Sequence, residues 1–204
     1  MYLNLDDLTA SQLDALKEVG NIGAGHAATA LSQLLGKKIF ITVPQANILP
    51  LSQVPQLVGD PSTLVAGLTL SILGDATGKI VLIFPRESAL HLADMLLKQT
   101  MGTSKILTEL GHSAIKEAGN ILTGAYLSAL NEFLGMLLLI SVPTLVFDLA
   151  GALLSFITLG LEENLKVICI ETRFSDDTED VGGYFILVPD SASLRAIFQA
   201  IRVR

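Results

Sequence analysis

Three polar residues, Asp14, Glu18 and Asn21, stand at i, i+4 and i+7, and a second trio, Ser113, Glu117 and Asn120, repeats the spacing. On a helix, at about 100° per residue, each trio falls within an arc of roughly 60°, so an acid and a carboxamide project together. In both segments that face lies away from an apolar stripe, which offers the two groups to solvent or to a partner. A single trio of this kind reads as an ordinary solvated helix face. The neighbouring residues argue for more. Asn is a mediocre helix former, and Gly20 and Gly119 beside it each cost about 1 kcal/mol relative to Ala. Two segments that keep the same Gly-Asn pair imply a backbone approached closely, by a partner or by another helix. The same two readings stay open for Gly25 and Gly124.

Other site chemistries fit the sequence poorly. His26, His91 and His112 fall in unrelated places, with no HExxH pattern or carboxylate cluster that would hold a metal. Asp176 to Asp180 lacks the glycine and terminal glutamate of a calcium loop and reads as a solvated hairpin. The glycines from Gly20 to Gly25 follow a helix where a dinucleotide fold needs a strand. His112 and Ser113, adjacent on a helix, point about 100° apart and make no hydrolase pair. Cys169 lies among Val167, Ile168 and Ile170, surroundings that suit a packed thiol and disfavour a thiolate.

The elements that carry the trios occur twice. A shift of 99 positions aligns Asp14 to Pro44 with Ser113 to Pro143 without a gap. Glu18, Gly20, Asn21, Ile22 and Gly25 fall on Glu117, Gly119, Asn120, Ile121 and Gly124; Leu35, Gly36, Val43 and Pro44 fall on Leu134, Gly135, Val142 and Pro143. Leu13, Leu16, Gly20, Ala24, Ala27, Leu31 and Leu34 form the stripe of a first helix, with Thr9 and Gln12 at capping-box spacing. Gly36 and Gly135 stand where a helix ends on glycine. β-branched runs follow at Ile39 to Val43 and, in the second copy, Leu138 to Val142. Two further strands are expected in each half: Leu64 to Leu73 with Lys79 to Phe84, and Leu165 to Phe174 with Tyr184 to Val188. Short helices close the halves at Glu87 to Lys98 and Ser191 to Ile201. The expected fold is α+β and internally duplicated, each half α-β-(x)-β-β-α. The expected organisation is one domain, 1–204, made of repeats at about 10–100 and about 108–204.

Composition sets the outer limits. The chain has 204 residues, half of them apolar, and a formal net charge of −7. Such a chain can bury a sizeable core, and it has no basic footprint for nucleic acid. Mean hydropathy is high, +0.58, and Met136 to Leu161 carries one charge, Asp148. A spanning helix needs about 20 apolar residues. The repeat register argues against one here, because Met136 to Val142 aligns with Lys37 to Val43, which holds two lysines. A strand followed by a short apolar helix, Leu149 to Leu159, is expected instead, with no membrane insertion. The acidic N-terminus has no signal-like apolar region, so a cytoplasmic location is expected.

The doubled pattern of Asp or Ser, three residues, Glu, two residues, Asn, 22 residues and Pro resembles the signature of the CheC family of chemotaxis phosphatases. The resemblance covers essentially the whole chain, including GNIGAGHAA from Gly20 and GNILTGAY from Gly119. With two sites, and with no appended switch domain expected, the chain is more similar to the CheC branch than to the CheX or FliY relatives. The resemblance implies two motif helices packed on one face of a sheet built from both halves. It implies hydrolysis of the aspartyl phosphate of the response regulator CheY. Asn21 and Asn120 would then hold the attacking water, and Glu18 and Glu117 would anchor a cationic residue of the partner. Asp14, Ser113, Gly20 and Gly119 would support them. No cofactor is implied in this chain, since the Mg²⁺ would come with the phosphorylated partner. The receptor deamidase CheD is a second implied partner, reached through the segment that contains Asp148. That segment reads equally as core with a capping Asp, and a purely binding, non-catalytic role remains the alternative function.

Overall fold

The computed structural model describes residues 10–158, 166–176 and 180–202. The proposed Thr9 cap, the acidic N-terminus and residues 177–179 of the acidic hairpin lie outside them. The first series of elements is α1 (Ala10–Leu35), β1 (Phe40–Thr42), β2 (Ala46–Pro50), a 3-10 turn (Leu51–Gln53), α2 (Val54–Val58), β3 (Leu64–Gly74), β4 (Gly78–Pro85) and α3 (Arg86–Leu96). The second is α4 (Glu109–Leu134), β5 (Leu138–Ile140), β6 (Thr144–Leu149), α5 (Ala150–Thr158), β7 (Lys166–Ser175), β8 (Asp180–Pro189) and α6 (Ser191–Arg202). The two series run in the same order.

Both long helices end as their glycines dictate, Gly36 at φ +63° and Gly135 at φ +68°, the left-handed conformation that glycine tolerates. A side chain in the penultimate turn then grips the strand that follows. Ser32 Oγ accepts from the Ile39 N–H at 2.9 Å. At the equivalent place Asn131 accepts from the Leu138 N–H through Oδ1 at 3.0 Å and donates from Nδ2 to the Leu138 carbonyl at 3.1 Å.

All eight strands join one antiparallel sheet, in the order β1-β7-β8-β4-β3-β5, with β2 also on β7 and β6 also on β3. The pairing is reciprocal: β1 and β2 of the first series lie on β7 of the second, while β5 and β6 of the second lie on β3 of the first. The two series share one sheet. On one face of the sheet, α1, α3, α4 and α6 pack on Leu68, Leu82, Phe84, Ile170 and Phe185. On the other, α5 and Val54 of α2 cover Val81, Ile83, Val167, Cys169 and Ile186. Strands buried on both faces read as continuous apolar runs, which accounts for the high mean hydropathy. No helix among the described residues is long and apolar enough to cross a membrane.

Two expectations need correction. The run Leu138 to Val142 is not a continuous strand: it stops at Ile140, and Ser141 to Pro143 interrupt the edge before β6 begins. Asp148 does not cap an apolar helix; it sits in β6 opposite Val65 and is exposed. An apolar run of that length cannot be divided into strand and helix by periodicity alone. Leu34 also departs from the stripe, being exposed while Leu35 is buried.

The linker into α4 is organised by Asp94, which is fully buried. Its carboxylate accepts from the backbone N–H groups of Thr103 and Ser104 at 3.1 and 3.3 Å. Burial works to raise its pKa, but the donors of Ser104, Gly102 and Thr103 together outweigh it and hold the group below the ordinary carboxylate value. A depressed folded pKa stabilises the fold above the unfolded value near 4, and that contribution is lost as pH falls through the folded value. Asp94→Asn is therefore expected to lower the urea midpoint at pH 7, with the difference from wild type fading as pH falls below the ordinary carboxylate value and through the lower folded one.

Candidate functional site

Thr108 caps α4, its hydroxyl accepting from the Gly111 N–H at 3.1 Å. The motif residues follow in the next turns of the helix. Ser113 and Glu117 are exposed, and Asn120 is half-buried. These three line an open groove of about 440 Å³ together with Lys116, Ile140, Ser141, Val142 and Pro143. The opposite wall is the interruption between β5 and β6. There the Ser71 N–H donates to Ser141 Oγ at 2.9 Å, and the Ser141 N–H donates to the Ser71 carbonyl at 3.0 Å. A proline suits this position, since an edge interruption asks for no ladder donor. The second Glu, Asn and Pro of the motif thus meet at one place, although 22 residues separate Asn120 from Pro143.

The first trio is arranged on α1 with Asp14, Glu18 and Asn21 all exposed and Pro44 half-buried in the interruption between β1 and β2. Here the aligned valines part company. Val43 is 3% exposed and Val142 is 82% exposed.

Lysine was not among the candidates, yet Lys116 lines the Asn120 groove, and the shift of 99 places Lys17 at its counterpart in α1. The signal was in the aligned pair itself, a cation kept beside each motif glutamate. On the helix Asn120 lies about 40° from Lys116 and about 60° from Glu117, so a cation and an anion flank the carboxamide. Neither Lys116 nor Glu117 has an ion-pair partner among the described residues.

The glycines serve the core more than the groove. A Cβ on Gly119 would stand 2.1 Å from Leu68 Cδ2, so that close approach is to the sheet. A Cβ on Gly20 would meet only ordinary contacts, Val43 at 3.6 Å and Ile170 at 3.7 Å. Gly20→Ala is accordingly expected to stabilise the chain, by about 0.5 to 1 kcal/mol from helix propensity, read as a higher urea midpoint. Gly25 and Gly124 face open space. The glycine that lets α1 meet α4 is Gly23, where a Cβ would lie 2.9 Å from Tyr126 Cα.

Cys169 is buried, and burial, reinforced by the Glu171 charge, pushes its thiol up to about 12. That leaves no thiolate near neutral pH. No group of three His, Cys, Asp or Glu converges among the described residues.

With this geometry in view, the CheC-like family matches residues 12–48 and 110–147, the α1–β2 and α4–β6 segments. The chain is 34% identical over 202 residues to the CheY-P phosphatase CheC of Bacillus subtilis, covering 93% of each. The chain belongs to the CheC-like family. A further CheC-like relative, the flagellar motor switch phosphatase FliY of Bacillus subtilis, is 29% identical over 140 residues, 68% of this chain and 36% of its own length. In fold, the X-ray structure of Thermotoga maritima FliY superposes with a TM-score of 0.80 at 23% identity, covering 96% of this chain and 98% of that one. The FliM middle domain from H. pylori follows with a TM-score of 0.70 at 12% identity, over 95% and 99%. Both structures share the fold of this chain.

Proposed function

We propose that this chain is a phosphatase of the phosphorylated chemotaxis response regulator CheY, with a site on each motif helix. The observation that carries the reading is the groove that unites Glu117, Asn120 and Pro143, in a chain similar over nearly its whole length to a CheY-P phosphatase. The carboxamide of Asn120 both donates and accepts, so it can hold a water in line with phosphorus. Water attacks phosphorus, the bond to the aspartyl oxygen breaks, and the carboxylate leaves as inorganic phosphate forms. Glu117 pairs with a cationic residue of the partner and fixes the approach, while Ser113 supports that face. Glu18, Asn21 and Asp14 repeat these roles on α1. The Mg²⁺ belongs to the partner's phosphorylation site. Positioning of this kind needs no covalent step from the helper chain.

In the same reading the chain works in the cytoplasm as one two-repeat domain. Asp148, exposed on β6 beside exposed Leu149, is the acidic contact for CheD. Adding substoichiometric chain to phosphorylated CheY is expected to shorten the lifetime of the phosphoryl group through many turnovers. Binding without faster loss of phosphate would leave only a holding role.

A further inference from the structure

The two sites share the Glu, Asn and Pro of the motif but differ in the valine that precedes the proline. Val43 and Val142 are the same residue at the same register, each just before its motif proline. Val43 is inserted under α1, its methyl groups 3.6 and 3.7 Å from where a Gly20 Cβ would stand. On α4 the corresponding space beside Gly119 is taken by Leu68 and Leu82 of the sheet. Val142 is turned outward onto the rim of the groove and is 82% exposed. Among the described residues Val142 belongs to neither buried cluster. It stands within the same groove as Glu117 and Asn120.

We propose that Val142 is the apolar anchor by which the Asn120 site holds the phosphorylated receiver, and that the Asn21 site, with Val43 committed to the core, lacks such an anchor. The inference rests on the phosphatase reading and adds which site binds the partner more tightly. The charge pattern favours this occupant. Lys116 and Glu117 flank Asn120 with opposite signs, which suits a surface carrying a phosphoryl anion beside a cationic side chain. A uniformly acidic peptide or an anionic lipid surface would leave Glu117 facing like charge. An apolar contact ringed by such charges matches the general layout of an interface, an apolar centre within a polar rim.

The test uses Val142→Ser and Val142→Asp in the full chain, with KM and kcat measured on phosphorylated CheY. The mostly exposed position predicts an unchanged melting temperature. In an Asn21→Ala background, Val142→Ser is expected to raise KM about tenfold with kcat retained, the equivalent of burying one valine side chain. Val142→Asp is expected to raise it further. The effect should be non-additive with Asn120→Ala, which has already removed that site's turnover. An unchanged KM, or an equal rise in both Asn backgrounds, would overturn the proposal. So would self-association of the chain that Val142→Ser abolishes, which would assign the anchor to a second copy. If the wild-type chain does not hydrolyse CheY phosphate, the phosphatase reading fails on its own. Affinity for CheY carrying beryllofluoride then decides the anchor: about tenfold weaker binding by Val142→Ser upholds it, and equal binding refutes it.

Discussion

Asn120→Ala is expected to remove about nine tenths of the phosphatase activity at low substrate, and Asn21→Ala about one tenth, because the two sites differ about tenfold in affinity for the partner. With the same Glu and Asn at the same spacing, the intrinsic chemistry of the sites should be similar, since each offers one carboxamide to one water. What differs is the partner-facing surface: an exposed Val142 and a half-buried Asn120 on one side, a buried Val43 and an exposed Asn21 on the other. Turnover below saturation follows kcat/KM, so the difference in binding appears directly as a difference in rate. At saturating substrate the two single variants should approach each other. Initial rates across a substrate series, with the melting temperature of each variant as a control on folding, check both statements. Equal losses at low substrate would contradict the assignment.

Gly23→Ala is expected to destabilise the chain by about 2 kcal/mol, enough to lower the melting temperature by roughly 4 to 8 °C for a domain of this size. The added Cβ would lie 2.4 Å from Tyr126 Cδ1 and 2.9 Å from Tyr126 Cα. A backbone atom cannot swing aside as a side chain can, so α1 and α4 would have to separate. Tyr126 is itself fixed, its hydroxyl 3.2 Å from Thr172 Oγ1 and its ring edge-on to Phe185 at 4.7 Å. Gly20→Ala, three residues earlier on the same helix, has the opposite expected sign. Thermal unfolding of the two variants side by side separates close packing from helix propensity, and a Gly23→Ala chain as stable as wild type would show that the helices do not meet there.

The paired glycines that attracted notice in the sequence were Gly20 with Gly119 and Gly25 with Gly124, because they recur at the shift of 99. The helix crossing uses a residue that does not recur. Gly23 aligns with Leu122, and Tyr126, which fills the space at Gly23, aligns with Ala27. In both aligned pairs the small residue is on α1 and the large one on α4, and that Gly23 meets Tyr126 is visible only once the two helices are placed against each other. The long helices, their glycine ends, the central strands and the face shared by each trio were legible, because period and terminator chemistry are local. The reciprocal pairing of β1 and β2 with β7, and of β5 and β6 with β3, is non-local and left no mark in either segment. Strand β6 was hidden inside an apolar run that continues into α5. The outward turn of Val142 depends on Leu68, more than seventy residues earlier in the chain.

In the proposed mechanism, carboxamides on α1 and α4 position the water that removes phosphate from CheY. The direct measurement is phosphate release from phosphorylated CheY in the presence of the wild-type chain and of Asn21→Ala/Asn120→Ala, with the folded state of each verified by thermal unfolding. Wild type is expected to accelerate release, and the folded double variant to lose about a hundredfold of that acceleration, the scale set by misplacing a reacting group. A folded double variant that releases phosphate at the wild-type rate would contradict the account.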